Sequence, residues 1–245
     1  MAVALEYVGT GDQTDDALGA LGAIAGAAPK PCAELDAAVR TMGPVRTRSP
    51  ISQAAIIGAV SIAYAGALLF LFEIRPDLEG LPRGWVIAYG SAFLVSFPML
   101  LWLSVVPSRG QVLPRWRLAA IGTAVACIAF PTAGLVFAFH VPGVSVLADS
   151  GVGRFFSYAQ VCWKWGVVTA LVPVALTAFV LRGAVPVQCR WVAAAIGAAG
   201  GALGGAVLHF HCPVADRWHV GLAHGGVVVI GALLSALIIP RVVRP

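Results

Sequence analysis

Of the chain's 245 residues, 59% are hydrophobic and 11% charged, against about a quarter charged in a soluble domain. That balance excludes an ordinary soluble enzyme and predicts a polytopic membrane protein. The formal net charge of +5 is concentrated in short arginine-bearing connections between apolar runs, so it marks membrane orientation and leaves no nucleic-acid footprint.

Residues 1–49 differ in composition from everything after them. Glu6, Asp12, Asp15, Asp16, Glu34 and Asp36 stand against Lys30, Arg40, Arg46 and Arg48, and the ordered regions of a signal peptide are missing. The segment is predicted to stay in the cytoplasm, as a unit separate from residues 50–245. Asp15 to Ala27 is alanine-rich and broken by Gly19, Gly22 and Gly26, a composition that favours disorder. Residues 31–42 predict a short helix, with Glu34 and Asp36 in its first turn, Arg40 in its last, and Gly43 and Pro44 to stop it. Leu35, Val39 and Met42 form an apolar stripe at i, i+4 and i+7. A lone helix of about 12 residues is marginal in water, so the stripe needs a surface, either the membrane face or a cytoplasmic partner.

Uncharged apolar runs follow at Ile51 to Phe72, Trp85 to Ser108, Leu118 to Ala148, Trp165 to Leu181, Trp191 to Ala215 and Trp218 to Pro240. Roughly 20 residues at about 1.5 Å each cross the hydrocarbon. The fourth run is short, but Phe155 to Trp163 extends it past Lys164, whose long stem lets the amine reach the interface. An all-α bundle of six transmembrane helices is predicted.

The connection between helices two and three carries Arg109, Arg115 and Arg117, that between four and five Arg182 and Arg190, and the tail Arg241 and Arg244, with no acid among them. The opposite connections mix Arg75, Arg83, Arg154 and Arg217 with Glu73, Asp77, Glu79, Asp149 and Asp216. Arginine-rich connections stay inside, so both termini are expected in the cytoplasm. Pro98 and Pro131 are expected to kink helices two and three, and Cys127 to pack near mid-membrane. Gly197, Gly201 and Gly205 recur at every fourth position of helix five, and Gly221 and Gly225 do so in helix six. Small residues at that spacing let backbones approach, which predicts a tight hairpin of helices five and six. All acids fall outside the apolar runs, which argues against ion transport or a proton relay, and the common nucleotide-binding, serine-hydrolase and zinc-protease motifs are absent.

The chemistry is concentrated in His209 to Gly226, HFHCPVADRWHVGLAHGG, read as a connection between helices five and six. It holds His209, His211, His219 and His224 together with Cys212. Imidazole and thiolate are the natural ligands of zinc, copper and softer ions, yet the two-residue and five-residue histidine spacings match no standard motif. Three readings are open: interfacial residues hydrogen-bonded to carbonyls and aromatics, a metal site, or redox or electrophile sensing through Cys212.

R-P-D-L at Arg75 to Leu78, the aromatic and cysteine stretch entering helix four, and L-H-F-H-C-P followed by W-H-V-x-L-x-H-G-G at Leu208 to Gly226 together resemble the NrsF family of anti-sigma factors. The resemblance implies a non-enzymatic inner-membrane regulator that holds an extracytoplasmic-function sigma factor inactive through its cytoplasmic N-terminus. It also implies two sensing cysteines on the periplasmic side, at the matching positions Cys162 and Cys212. Counted from the inner arginines, both lie about 30 Å along their helices. Sigma-factor contact is then expected from Leu35, Val39 and Met42, with Glu34 and Asp36 meeting basic residues. Membrane lipid surrounds the bundle and nucleic acid is not contacted directly. No cofactor is required, although a transient soft metal ion suits the His and Cys stretch. The alternative is a membrane-embedded metal-handling protein or enzyme built on that stretch.

Overall fold

The computed structural model describes residues 49–106, 113–145, 152–182 and 189–243. The chain divides into two units, Met1–Thr47 and Arg48–Pro245. The helix expected at residues 31–42, with Glu34, Leu35, Asp36, Val39 and Met42, lies outside the described residues.

The described residues form long helices and no strands: α1 (Pro50–Leu71), α2 (Arg83–Val105), α3 (Arg115–Val136), α4 (Val152–Val180), α5 (Cys189–His211) and α6 (Gly226–Val242). A π-helical segment, His219–Gly225, runs directly into α6. With that segment counted into the sixth, all six are long and apolar enough to cross a membrane, at mean hydropathies of 1.5 to 2.3. Pro50 opens α1 at a position where its missing N–H costs nothing, and the Ser49 hydroxyl accepts from the Ser52 N–H. The fourth helix passes straight through Lys164, which is exposed. Arg115 and Arg117 belong to the first turn of α3 rather than to the connection before it.

α5 is the axis of the bundle. Of its most apolar 18-residue window 94% is buried, against 28–44% for the other five spans. Its glycines explain why so many helices can surround it. A Cβ at Gly197 would stand 2.0 Å from the Gly231 carbonyl oxygen of α6, one at Gly204 2.4 Å from the Gly166 oxygen of α4, and one at Gly205 2.4 Å from the Phe93 ring of α2. No side chain larger than hydrogen fits such contacts, so backbone meets backbone at Gly197 and Gly204, and the Phe93 ring lies on the backbone at Gly205. The other helices turn large apolar side chains outward, Phe70 at 90% exposure and Ile56 at 64% among them. Such a surface suits hydrocarbon and not water.

Two expectations are corrected. α5 and α6 do pack closely, but through Gly197, Gly201 and Gly231, while Gly221 and Gly225 face α3. A Cβ at Gly221 would meet the Leu135 side chain and Pro131 oxygen, and one at Gly225 the backbone of Phe130 and Pro131. The cause is the change of winding at His219–Gly225, which turns these glycines off the α5 side. The His209 to Gly226 stretch is also mostly helical rather than a loop. His209 and His211 end α5, His219 and His224 lie in the π-helical segment, and only residues 212–216 connect them without helix.

Candidate functional site

Three elements converge on one buried cluster. α4 contributes Cys162, the residue just past the end of α5 is Cys212, and the π-helical segment contributes His219 and His224. The two Sγ atoms are 3.4 Å apart, and His219 Nε2 lies 3.2 Å from Cys162 Sγ and 3.4 Å from Cys212 Sγ. With one ring nitrogen of His224, all four potential ligand atoms fall within 4.8 Å of one another. All four residues are buried, and Ala159, Leu208, Val214, Ala223 and Val227 make an apolar wall around the thiols.

Local backbone chemistry places each group. α4 and α5 are neighbours because Gly204 and Gly200 of α5 rest on Gly166 and Ala170 of α4, which brings their outer ends within side-chain reach. Asp216 starts the next helix: its carboxylate accepts from the His219 N–H at 3.1 Å and its carbonyl from Val220, as an N-cap does. The π winding then decides the rest. Residues five apart on an α-helix point about 140° away from each other, but the i→i+5 ladder, at about 4.4 residues per turn, nearly superposes them. His219 and His224 therefore share a face, with ring centroids 5.2 Å apart. Trp163 of α4 donates from Nε1 to the Leu222 carbonyl of the same segment at 3.0 Å.

His209 and His211 are not part of this cluster. Two residues apart on a regular helix, they point to nearly opposite sides. His209 donates from Nε2 to the Val86 carbonyl at 3.2 Å and sits edge-on against Trp85, Tyr89 and Phe210. His211 donates from Nδ1 to the Glu73 carbonyl at 2.7 Å.

An anchor that sequence reading passed over holds this end of α5. The Arg75 guanidinium makes a two-pronged contact with Asp77, at 2.6 and 2.7 Å, and both side chains are wholly buried. Arg75 also donates from its N–H to the Phe210 carbonyl at 3.0 Å and from Nη1 to the His209 carbonyl at 3.4 Å. Ser145 donates to Asp77 and accepts from the Val141 N–H at 2.7 Å. Burial raises the Asp77 carboxyl, but the hydrogen bonds from Arg75 and Ser145 and the guanidinium charge outweigh it and hold the group below its usual 3.8. At the cluster, the hydrogen bonds from the Cys162 thiol and from His219 hold Cys212 below the ordinary thiol range, against the opposing effect of burial.

A family model described as negative regulator of sigma F matches residues 38–244. The chain belongs to the NrsF family. No curated protein and no solved structure matches at a significant level. The NrsF match contains the whole helical body and every residue of the thiol and imidazole cluster. It begins inside the predicted N-terminal helix, taking in Val39 and Met42 and leaving Glu34, Leu35 and Asp36 before it.

Proposed function

We propose that this chain is a multi-pass inner-membrane anti-sigma factor that holds an extracytoplasmic-function sigma factor through its cytoplasmic N-terminal segment. It releases the factor when a periplasmic oxidant or soft metal acts on Cys162 and Cys212. One observation carries the reading beyond the family: two buried thiols stand 3.4 Å apart on neighbouring helices, at the far end of α5 from Arg190. A disulfide needs an S–S separation of about 2.05 Å, so closing the pair takes a shift of little more than an ångström, with two electrons passing to the oxidant and two protons to water. A change in how α4 meets α5 travels along stiff helices to the cytoplasmic side, where Leu35, Val39 and Met42 hold the sigma factor and Glu34 and Asp36 meet its basic residues.

Promoter output of the cognate sigma factor tests this. The Leu35→Asp, Val39→Asp double variant should free the factor without stimulus, since each buried apolar side chain is worth roughly 1.5–3 kcal/mol. Cys162→Ser and Cys212→Ser strains should keep repression and lose the response to oxidant and heavy metal. A response that survives in both cysteine strains refutes the thiol sensor, and failure of the chain to co-purify with any sigma factor refutes the anti-sigma role.

A further inference from the structure

We infer that Cys162, Cys212, His219 and His224 form a closed tetrahedral site for a divalent d10 metal ion, of which zinc is the type. The proposal deepens the sensing role given above and rests on it only for the signalling consequence, since metal binding stands or falls on the four residues alone.

Three of the six edges of a tetrahedron stand slightly contracted, and the fourth ligand atom, on His224, lies within 4.8 Å of the other three. Zinc–sulfur bonds near 2.3 Å and zinc–nitrogen bonds near 2.0 Å put tetrahedral ligand atoms about 3.8 Å apart for two sulfurs and about 3.6 Å apart for sulfur and nitrogen. The thiols stand at 3.4 Å and the sulfur–nitrogen pairs of His219 at 3.2 and 3.4 Å, so these three edges open by a few tenths of an ångström on binding while the His224 nitrogen draws in. A second observation points the same way. His224 is 0% exposed, and neither of its ring nitrogens has a hydrogen-bond partner among the described residues, although one lies within 4.8 Å of both sulfurs. A buried imidazole without a partner is a penalty to the fold, and a metal ion removes it.

Charge selects the ion. Two thiolates and two neutral imidazoles balance a divalent cation, which leaves no net charge inside an apolar wall; a monovalent ion would leave a buried negative charge. Both thiols release their protons to water as the metal–sulfur bonds form. Four protein ligands leave no open position for substrate or water, the arrangement of structural rather than catalytic zinc. Bound metal would clamp α4, the end of α5 and the start of the sixth span together, and the same thiols could not then form a disulfide.

Cobalt(II) titration of the full-length chain, purified reduced and metal-free in nanodiscs, tests the site. One equivalent should give the intense visible bands of tetrahedral cobalt and a thiolate-to-metal charge-transfer band, both displaced by zinc. His219→Gln and His224→Gln should weaken binding by more than the roughly 10–100-fold that loss of an outer-shell partner costs, while His209→Gln and His211→Gln bind as the wild type does. Monodisperse elution of each variant checks that it is folded. Absence of the tetrahedral spectrum in wild type overturns the site, as does undiminished cobalt affinity in folded His219→Gln and His224→Gln. Neither result depends on a sigma factor, so failure here leaves the anti-sigma reading to its own tests.

Discussion

The two histidine pairs differ in how their surroundings treat them. The end of α5 is held by polar contacts: Arg75 reaches the Phe210 and His209 carbonyls, and His209 and His211 donate to the Val86 and Glu73 carbonyls. The π-helical segment is held mainly by close packing, with Gly221 and Gly225 against α3, besides the Asp216 cap and the Trp163 hydrogen bond to the Leu222 carbonyl. Each histidine of the first pair has a ring nitrogen engaged with a backbone carbonyl. In the second pair His224 has no hydrogen bond among the described residues and His219 turns Nε2 to the thiols, so both rings are directed at the sulfur chemistry. Which histidine is available is decided by winding and neighbours, not by the number of histidines in the stretch.

The largest expected effect comes from removing the polar anchor of the first pair. Asp77→Asn leaves the buried Arg75 guanidinium without its counter-charge, which should cost roughly 3–5 kcal/mol. The companion double variant, Arg75→Met with Asp77→Asn, buries no unpaired charge and should cost less than Asp77→Asn alone. Thermal unfolding in nanodiscs reads both. Equal losses would show that the anchor acts through shape rather than charge.

Close packing at the second pair predicts a smaller and sharply local effect. A Cβ at Gly225 would stand 2.6 Å from the backbone nitrogen of Pro131, whereas one at the adjacent Gly226 meets nothing nearer than Trp163 Nε1 at 3.6 Å. Gly225→Ala should therefore destabilise by about 1–3 kcal/mol through overpacking and weaken cobalt binding, because the segment must move off α3. Gly226 has helical angles, so Gly226→Ala should be neutral or stabilising by about 0.5–1 kcal/mol. Similar unfolding curves for the two alanine variants would remove the seam on which the comparison depends.

Much of this was legible in the sequence. Uncharged runs of adequate length became the six helices long and apolar enough to cross a membrane, and the glycine periodicity of helix five foretold its close neighbours. The π winding was not legible. From Val220 to Leu234 the chain is apolar apart from His224, so no polar face reveals whether the turn holds 3.6 residues or more, and a five-residue histidine spacing looks wrong for an α-helix. The Arg75 anchor was missed for another reason. Its two charges are neighbours in sequence, but the burial that makes them matter comes from a helix end 134 residues away.

The smallest effect concerns pH and separates the two halves again. The folded Asp77 carboxyl lies below its usual 3.8 because the Arg75 and Ser145 hydrogen bonds and the guanidinium charge outweigh burial. A group lowered on folding contributes stability at every pH above its unfolded value and loses it as pH falls through the folded one. Between pH 5 and pH 8 the anchor should therefore be constant, and any pH dependence in that range must arise elsewhere in the molecule. Below pH 3.8 protonation should progressively erase the difference between wild type and Asp77→Asn. The measurement is the wild-type minus Asp77→Asn difference in unfolding temperature across pH, which cancels every other titrating group common to the two proteins. A difference that already shrinks between pH 8 and pH 5 would mean that the carboxyl is raised rather than lowered, and that burial rather than Arg75 governs this end of α5.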